Sequence, residues 1–329
     1  MVDSKSKRRV IIDTDPGVDD ALTIFAALRC DAIEVIGLTT IFGNVPTVKS
    51  TQNALGLLEL AGRNDVPVAK GSDCTFTGDP KTRIADFVHG NDGLGNTGEL
   101  EASRDPLPIS ASEFIRDACS KHPGEVTILA LGPLTNIAIA LREAEAANED
   151  LGLNGVRVVL LGGAFNVNGN VNPCSEANIF CDPEAADRVF GSRLDVSVIP
   201  LDVTCQCLFS SMDLDLLERE GGKIGEYCSA ISQFYKNFHH EAYNCNGLML
   251  HDPTALVAIF RPELFWFKRG AVVVGCEGAL RGQTVMDENK KNWRGDNAWT
   301  QRREVSVALE VDERAVVDCV RALLLAWGD

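Results

Sequence analysis

The chain alternates short apolar runs with stretches in which apolar residues recur every three or four positions. Continuous apolar runs predict buried strands, and helical spacing predicts amphipathic helices between them. The predicted strands cover residues 10–12, 33–41, 66–69, 126–131, 156–161 and 195–203. The predicted helices begin at Val18 and cover residues 48–60, 111–119, 134–142 and 183–190. This strand–helix alternation is typical of a parallel sheet flanked by helices.

Two long stretches, residues 71–108 and 162–181, show neither periodicity and are rich in Gly, Asp, Asn and Thr. Irregular loops of that length are uncommon unless they are functional. The rest of the chain continues with helices over residues 224–243, from Asp252-Pro253 and over 314–327, and with β-rich runs over 270–275 and 304–311. No repeat or linker interrupts the pattern, so we predict one α/β domain over residues 1–329.

The first predicted strand runs directly into a cluster of acids. Pro16 and Gly17 end the strand and Val18 opens a helix, so the acids occupy a strand-to-helix turn. In an open α/β sheet such a turn lies at the carboxyl end of the strand, where ligands bind. Clustered carboxylates repel one another unless a cation lies among them, and hard oxygen ligands suit Ca²⁺ or Mg²⁺. The four acids are Asp13, Asp15, Asp19 and Asp20.

Other interpretations of the turn differ in how well they fit. An EF-hand loop starting at Asp13 fails, because its sixth and twelfth positions hold Val18 and Ile24 instead of Gly and Glu. A magnesium-dependent phosphatase with Asp13 as nucleophile stays open on the turn alone. A purely structural role, with Asp19 and Asp20 complementing the helix dipole, also stays open.

Three further places carry residues that suit the same site. Asp252 starts a predicted helix and is either an N-cap or a ligand. His89 and His251 lie in predicted loops, where an imidazole either reaches a ligand or is simply solvated. Residues 169–178 are either turns or a set of amides and a carboxylate suited to binding neighbouring hydroxyls. These polar residues are Asn170, Glu176 and Asn178.

The composition narrows the class of partner. The 329 residues are 45% hydrophobic and 24% charged, as in an ordinary globular protein. The formal charge of −16 argues against nucleic acid or an anionic membrane as the main partner. Eleven cysteines are scattered without zinc spacing, and no secretory segment or apolar run near 18 residues is present, so we expect a cytoplasmic protein.

Together these motifs resemble the nucleoside hydrolase family, the inosine-uridine-preferring nucleoside N-ribohydrolases. They follow the family's order over about three quarters of the chain, and DTDPGVDD is specific in itself. The matching motifs are DTDPGVDD (residues 13–20), GNV (43–45), HGNDG (89–93), ALGPLTN (130–136), GNVNPCSEAN (169–178), DPEAA (182–186) and HDP (251–253).

The resemblance implies an open, Rossmann-like, mostly parallel sheet and one Ca²⁺ per active site. The implied calcium ligands are Asp15, Asp20, Asp252 and the backbone carbonyl of Leu131. Asp13 is implied to support the turn from behind. The implied ribose ligands are Asp19, Asn44, Asn170, Glu176 and Asn178, with Asp252 shared between metal and sugar.

The resemblance also implies the reaction, which is hydrolysis of a nucleoside to free base and ribose through an oxocarbenium-like transition state. Asp15 would take the proton of a calcium-bound water, and His251 is the first candidate for the acid that protonates the leaving base. His89, His239 and Tyr243 match positions beside the base. These positions carry no Trp, which favours an inosine- or uridine-type preference with xanthosine as a further candidate. A homo-oligomer, dimer or tetramer, is implied as well.

Two other functions compete with hydrolysis. A DxD-type phosphatase would need a downstream Lys and a second acidic pair for magnesium, and no convincing set is present in the sequence. A non-catalytic module that binds nucleoside or calcium would tolerate the substitution Asp15→Asn, whereas a hydrolase would lose nearly all turnover.

Overall fold

The computed structural model describes residues 7–80, 84–147, 153 and 155–328. A mostly parallel sheet of nine strands runs through it, and a two-stranded antiparallel ribbon lies apart from this sheet. The strands are β1 (Arg8–Thr14), β2 (Ile33–Thr40), β3 (Val68–Lys70), β4 (Val126–Ala130), β5 (Arg157–Leu161), β6 (Asp195–Ile199), β7 (Leu208–Ser210), β8 (Gly247–Met249), β9 (Phe265–Val274), β10 (Thr284–Asp287) and β11 (Glu304–Val311).

Helices connect most of these strands. They are α1 (Val18–Arg29), α2 (Thr47–Leu60), α3 (Asp86–His89), α4 (Ala111–Lys121), α5 (Thr135–Ala146), α6 (Ala177–Cys181), α7 (Pro183–Phe190), α8 (Leu201–Thr204), α9 (Ser211–Glu220), α10 (Gly222–Tyr243), α11 (His251–Phe260) and α12 (Glu313–Leu325). None of the helices in the described ranges is both long and apolar enough to cross a membrane.

The large sheet has the order β10-β9-β11-β6-β5-β4-β1-β2-β3. From β3 through β6 to β11 neighbouring strands pair in parallel, and β9 and β10 add an antiparallel edge. The chain builds β1, β2 and β3 in one direction and then returns to place β4 on the other side of β1. The strand order therefore reverses between β1 and β4, which is where open α/β sheets bind ligands.

Both faces of the sheet are buried, which explains why the strands are continuous apolar runs. Val10 and Ile12 of β1 belong to one apolar core, and Ile11 between them belongs to the other. This alternation follows from the two-residue period of a strand. The predicted open, mostly parallel sheet flanked by helices is confirmed.

Several local predictions need correction. The predicted strand over residues 195–203 ends at Ile199, and the one-turn helix α8 begins at Leu201, with Pro200 as its N-cap. The apolar run continued into that helix, so periodicity could not mark the boundary. The run over residues 270–275 is the end of the longer β9, and the sequence patterns missed β10 and α9 entirely. Helices α3 and α6 lie inside the two stretches predicted to be irregular.

Candidate active site

The acid turn lies where the strand order reverses. Asp13 is the penultimate residue of β1, paired with Thr39 of β2 and Ala130 of β4. The backbone N–H of Leu131 donates to the Asp13 carbonyl at 2.8 Å and carries the β4 chain end alongside the turn. The turn and the Leu131 carbonyl therefore share the cleft at the carboxyl ends of β1 and β4.

Asp13 supports the turn from within the sheet. It is fully buried, and its Oδ1 accepts hydrogen bonds from Thr39 Oγ1 at 2.6 Å and Asn136 Nδ2 at 2.8 Å. Burial raises the pKa of Asp13 to about 6 despite these donors. Both donors come from neighbouring elements, so Asp13 ties β1 to β2 and α5.

The Asp15 carboxylate lies in a space that exists only because two neighbouring residues are glycines. Its Oδ2 accepts from the backbone N–H of Asn44 at 2.6 Å. A Cβ on Gly43 would overlap Asp15 Oδ2, and a Cβ on Gly132 would lie 2.7 Å from Oδ1. Glycine at these two positions therefore makes room for the fully buried Asp15 carboxylate between the ends of β2 and β4.

Asp20 is bound from three directions in the first turn of α1. It accepts from the Thr14 hydroxyl, from the Gly17 N–H at 2.9 Å and from Asn44 Nδ2 at 3.1 Å. Asn44 thus contacts Asp15 through its backbone and Asp20 through its side chain. The hydrogen bond between Asp20 and Gly17 also closes the N-terminus of α1.

Asp19, Asp20 and Asp252 form the floor of the site. One carboxylate oxygen from each lies within 4.8 Å of the others, and all three residues are buried. Burial, reinforced by the charge of Asp20, raises the pKa of Asp19 to about 7, and burial also raises the pKa of Asp20 and Asp252. The raised pKa values show that burying these negative charges close together is unfavourable. A hard divalent cation, which prefers oxygen ligands, would remove the repulsion between the three carboxylates.

Asp252 is a first-turn residue of α11 and does not cap the helix. The helix begins at His251, and the capping position belongs to Leu250. The alternative in which Asp252 is an N-cap is therefore wrong. Its carboxyl group instead contacts that of Asp20.

The loop before α6 forms another side of the cleft. Glu176 caps this short helix, because its carboxylate accepts from the N–H groups of Asn178, Ile179 and Gly163 at 2.9 to 3.1 Å. Asn178 Nδ2 donates to the Leu131 carbonyl at 2.5 Å. Glu176, Asn178 and Asn170 line the same cleft as Asp19 and Asp252.

Imidazole and phenol rings form the opposite wall. His89 stacks on Tyr235 with ring centroids 4.9 Å apart, and His239 packs edge-on against Tyr235 at 4.3 Å. His239 also stacks on Tyr243 at 5.6 Å and lies 6.0 Å from His251. The five rings come from α3, α10 and α11, so the wall depends on how these three helices pack.

Hydrogen bonds set the tautomers of two of the histidines. His89 Nδ1 accepts from the Val18 N–H at 3.2 Å, which leaves the proton on Nε2. His239 Nδ1 donates to the Tyr235 carbonyl at 2.9 Å, which leaves Nε2 as an acceptor. Burial lowers the pKa of His89 and His251 to about 3 and that of His239 to about 4, so all three rings are neutral at pH 7.

The cleft contains about 910 Å³ of space between its atoms, a figure that includes its open mouth. Of the site residues predicted from the sequence, Asp15 and Asp20 lie beneath the lining of the cleft. Leu131 and the other predicted residues line it. Those lining residues are Asp19, Asn44, His89, Asn170, Glu176, Asn178, His239, Tyr243, His251 and Asp252.

The sequence did not single out four aromatic residues of the cleft, which are Phe87, Phe180, Tyr235 and Phe238. Tyr235 is buried in the wall, and Phe87 and Phe238 pair edge-to-face at 6.0 Å near the mouth. Tyr235 lies four residues after the buried Ile231 on α10, so its spacing is that of an ordinary core residue. Phe87 is 51% exposed in a stretch without periodicity, and that exposure is visible only in the structure.

Comparison with known proteins gives a consistent result. Residues 10–318 match the family model described as inosine-uridine preferring nucleoside hydrolase. A protein named probable uridine nucleosidase 2 from Arabidopsis thaliana is 46% identical over 97% of this chain and 98% of its own length. A uridine nucleosidase 1 from the same plant is 44% identical over 96% of this chain and 93% of its own length.

Solved structures agree in fold. A structure described as a plant nucleoside hydrolase has a TM-score of 0.92 and 44% identity, covering 97% of this chain and 99% of its own. A purine-preferring ribonucleoside hydrolase from Gardnerella vaginalis has a TM-score of 0.88 and 32% identity, covering 98% and 99%. With a family model matched across nearly the whole sequence and relatives this similar over their full length, the chain belongs to the inosine-uridine preferring nucleoside hydrolase family.

Proposed function

We propose that the cleft hydrolyses the N-glycosidic bond of ribonucleosides to free base and ribose. The observation that carries the proposal is the buried group of Asp19, Asp20 and Asp252, whose oxygens lie within 4.8 Å of one another beneath an aromatic wall. Acids at the floor suit a sugar and a cation, and flat rings at the side suit a base. The names of the relatives, uridine nucleosidase and ribonucleoside hydrolase, support the same reaction.

The proposed cation is Ca²⁺, held by Asp15, Asp20, Asp252 and the carbonyl oxygen of Leu131. All four donors are oxygens, as Ca²⁺ prefers. Asp19 also has an oxygen within 4.8 Å of those of Asp20 and Asp252, but it lines the cleft while Asp15 and Asp20 lie beneath it. For that reason we assign Asp19 to the ribose. When bound, the cation supplies charge that lowers the pKa of a water and attracts the ribose hydroxyls.

The proposed ribose ligands surround this floor. Asn44 is fixed by its hydrogen bonds to Asp15 and Asp20, and Glu176 by its three backbone donors, so neither side chain needs to reorganise when a sugar enters. Such preorganised acceptors stabilise the positive charge that develops on the ribose ring. The full proposed set is Asp19, Asn44, Asn170, Glu176, Asn178 and Asp252.

Asp15 is the proposed general base. The Asn44 N–H and the space left by Gly43 fix the position of its carboxylate. A carboxylate oriented in this way accepts the proton of the attacking water as the bond from the ribose to the base stretches.

His251 is the proposed donor to the leaving base. Its Nδ1 lies 2.8 Å from Thr204 Oγ1, and the ring lines the cleft. When the Thr204 hydroxyl donates to Nδ1, the imidazole proton is on Nε2. Because burial lowers the pKa of His251 to about 3, the ring is neutral at pH 7, and its Nε2–H donates a hydrogen bond that stabilises the negative charge developing on the leaving base.

His89, His239 and Tyr243 are the proposed contacts of the base. The wall offers a donor at His89 Nε2 and an acceptor at His239 Nε2. Uracil and hypoxanthine each present both a carbonyl acceptor and a ring N–H donor. With relatives named uridine nucleosidase, this supports uridine as the first substrate to test, followed by inosine and xanthosine.

Ribose release from the purified protein tests the function. The assay covers uridine, inosine, xanthosine, adenosine, guanosine and cytidine with added Ca²⁺, and a parallel assay measures phosphate release from uridine monophosphate. We expect ribose from uridine and no phosphate release. Phosphate release without ribose would favour the phosphatase alternative, and binding of nucleoside without either product would favour a non-catalytic module.

We also infer a cytoplasmic location and a homo-oligomer, dimer or tetramer. All eleven cysteines are free, which supports a reducing compartment. The oligomer follows only from the family resemblance. Light scattering on the purified protein measures the mass directly, and fractionation of the source cells tests the location.

A further inference from the structure

We propose that Tyr235 is a positioning residue that links the base-binding wall to the ribose ligand Asp19. This inference rests on the proposed function, since Asp19 is assigned there to the ribose. It adds a residue that neither the motifs nor the family resemblance singled out.

Tyr235 makes a direct polar contact with the floor of the site. The residue is 2% exposed, and its hydroxyl donates to Asp19 Oδ2 at 3.3 Å. His89 Nδ1 also approaches this carboxylate, but at 3.9 Å from Asp19 Oδ1 it lies beyond hydrogen-bond distance. Tyr235 therefore holds the Asp19 carboxylate from α10, in addition to the backbone N–H groups of Asp19 and Asp20 in the first turn of α1.

The same ring contacts His89 and His239, the two histidines proposed to bind the base. It stacks on His89 with an interplanar angle of 30°, and it meets His239 edge-on at 82°. The Tyr235 carbonyl also accepts the Nδ1 proton of His239. One residue thus fixes the His239 tautomer, supports the His89 ring and orients Asp19.

The contacts of Tyr235 with His89 and Asp19 form a closed network with the backbone of the acid turn. His89 Nδ1 accepts from the Val18 N–H, and Val18 immediately precedes Asp19 on α1. Tyr235 therefore contacts both His89 and Asp19, and the His89 side chain is itself hydrogen-bonded to the backbone beside Asp19. Displacement of the wall by a base is transmitted to Asp19, and loss of the phenol hydroxyl frees the Asp19 carboxylate without removing the aromatic stack.

A purely structural role for Tyr235 makes a different prediction. As a core aromatic residue, Tyr235 would act through its ring alone, and removing its hydroxyl would leave turnover unchanged. The substitution Tyr235→Phe separates these two roles, because it keeps the ring contacts with His89 and His239. Tyr227→Phe is the matched control, since Tyr227 lies two turns earlier on α10, packs against Phe25 and does not line the cleft.

The experiment measures ribose release from uridine by the wild type, Tyr235→Phe, Asp19→Asn and the double variant. We expect Tyr235→Phe to lower kcat about tenfold with a smaller change in KM, because a hydrogen bond to a charged group is lost. The double variant should lose no more than Asp19→Asn alone, since both changes affect one interaction. Tyr227→Phe should keep wild-type kcat.

The outcomes separate the two proposals. A wild type that releases no ribose overturns the proposed function, whatever the variants do. An active wild type with unchanged kcat in Tyr235→Phe, or with additive losses in the double variant, overturns the role of Tyr235 alone. Thermal unfolding checks that each variant folds. If Tyr235→Phe does not fold, 3-fluorotyrosine incorporated at position 235 keeps the ring and strengthens the donor, and an unchanged kcat then overturns the inference.

Discussion

At the scale of single residues, Asp15 has two proposed tasks, as a cation ligand and as the base for water. We expect Asp15→Asn to lower kcat by about 10³-fold or more, because the amide neither accepts the proton nor carries the charge. Ribose release from uridine measures the loss. The matched control is Asp31→Asn at an exposed position just after α1, which should keep full activity. An Asp15→Asn variant with a tenth or more of wild-type turnover would contradict both tasks.

The buried histidines make a prediction about stability and pH. The pKa of His239 falls from 6.5 to about 4 on folding. Between these two values His239 is mostly protonated in the unfolded chain and mostly neutral in the folded chain. The contribution of the neutral His239 ring to the unfolding free energy is fully present above pH 6.5 and is lost as the pH falls towards 4. At pH 5 that loss is about 2 kcal/mol of unfolding free energy.

The variant His239→Gln isolates this effect. Between pH 7.5 and 5, the variant should lose about 2 kcal/mol less unfolding free energy than the wild type in urea titrations. Buried acids such as Asp13, whose pKa is raised, act in the opposite sense, but they are common to both proteins and cancel in the comparison. His240→Gln, at an exposed position on the same helix, should behave as the wild type. Equal losses in His239→Gln and wild type would contradict a neutral buried imidazole.

Some residues of the site could be predicted from the sequence and others could not. The acids of the turn stand out because four of them follow a buried strand, a pattern with few structural uses. Asp252 was ambiguous, since Asp-Pro at a helix start equally indicates a cap. Tyr235 carried no signal, because an aromatic residue at helical spacing on α10 is what a core position requires.

At the scale of elements, the β1–α1 turn and the chain after β2 fit together only because Gly43 has no side chain. We expect Gly43→Ala to displace the Asp15 carboxylate and to lower kcat by about 100-fold or more, with the protein still folded. Gly191→Ala is the matched control. Gly191 has a φ of −82°, and an added Cβ would lie 3.3 Å from the Asp187 carbonyl oxygen, a close contact without the overlap found at Gly43, so we expect this variant to fold and to keep its activity. A fully active Gly43→Ala would show that the site accommodates a shifted Asp15.

Strands could be predicted from the sequence where both faces of the sheet are buried, because such strands are continuous apolar runs. The core strands β1, β2, β4 and β5 follow from such runs, and α7 follows from its Asp182 cap and Pro183. β10 escaped prediction because it pairs only with β9 at an edge of the sheet, where packing demands few apolar residues. The pairing of α3 with α10, which assembles the aromatic wall, depends on contacts more than a hundred residues apart and leaves no local pattern.

At the scale of the whole molecule, the carboxyl groups at the reversal of strand order come from distant parts of the chain. Asp20 is on α1 and Asp252 on α11, and these two helices share one apolar core. A cation held between them therefore links the N-terminal and C-terminal parts of the fold. Its binding free energy should appear as stability of the entire domain.

Chelation tests this coupling. We expect a calcium chelator to abolish ribose release and to lower the unfolding free energy by about 2.7 kcal/mol relative to protein at a Ca²⁺ concentration 100 times its Kd. Restoring Ca²⁺ should recover both, whereas Mg²⁺, which prefers a tighter octahedral site, should recover less. Thermal unfolding and the ribose assay on the same samples measure the two effects. Activity that survives exhaustive chelation would contradict a cation in the reaction.

The central claim is that this cleft cleaves a ribonucleoside with water. The most direct measurement follows uridine in phosphate-free buffer made with ¹⁸O-water and analyses the products by mass spectrometry. Hydrolysis predicts uracil and ribose in equal amounts, with one ¹⁸O at the anomeric carbon of the first ribose formed. Uridine left intact, or cleavage that requires added phosphate, would contradict the claim.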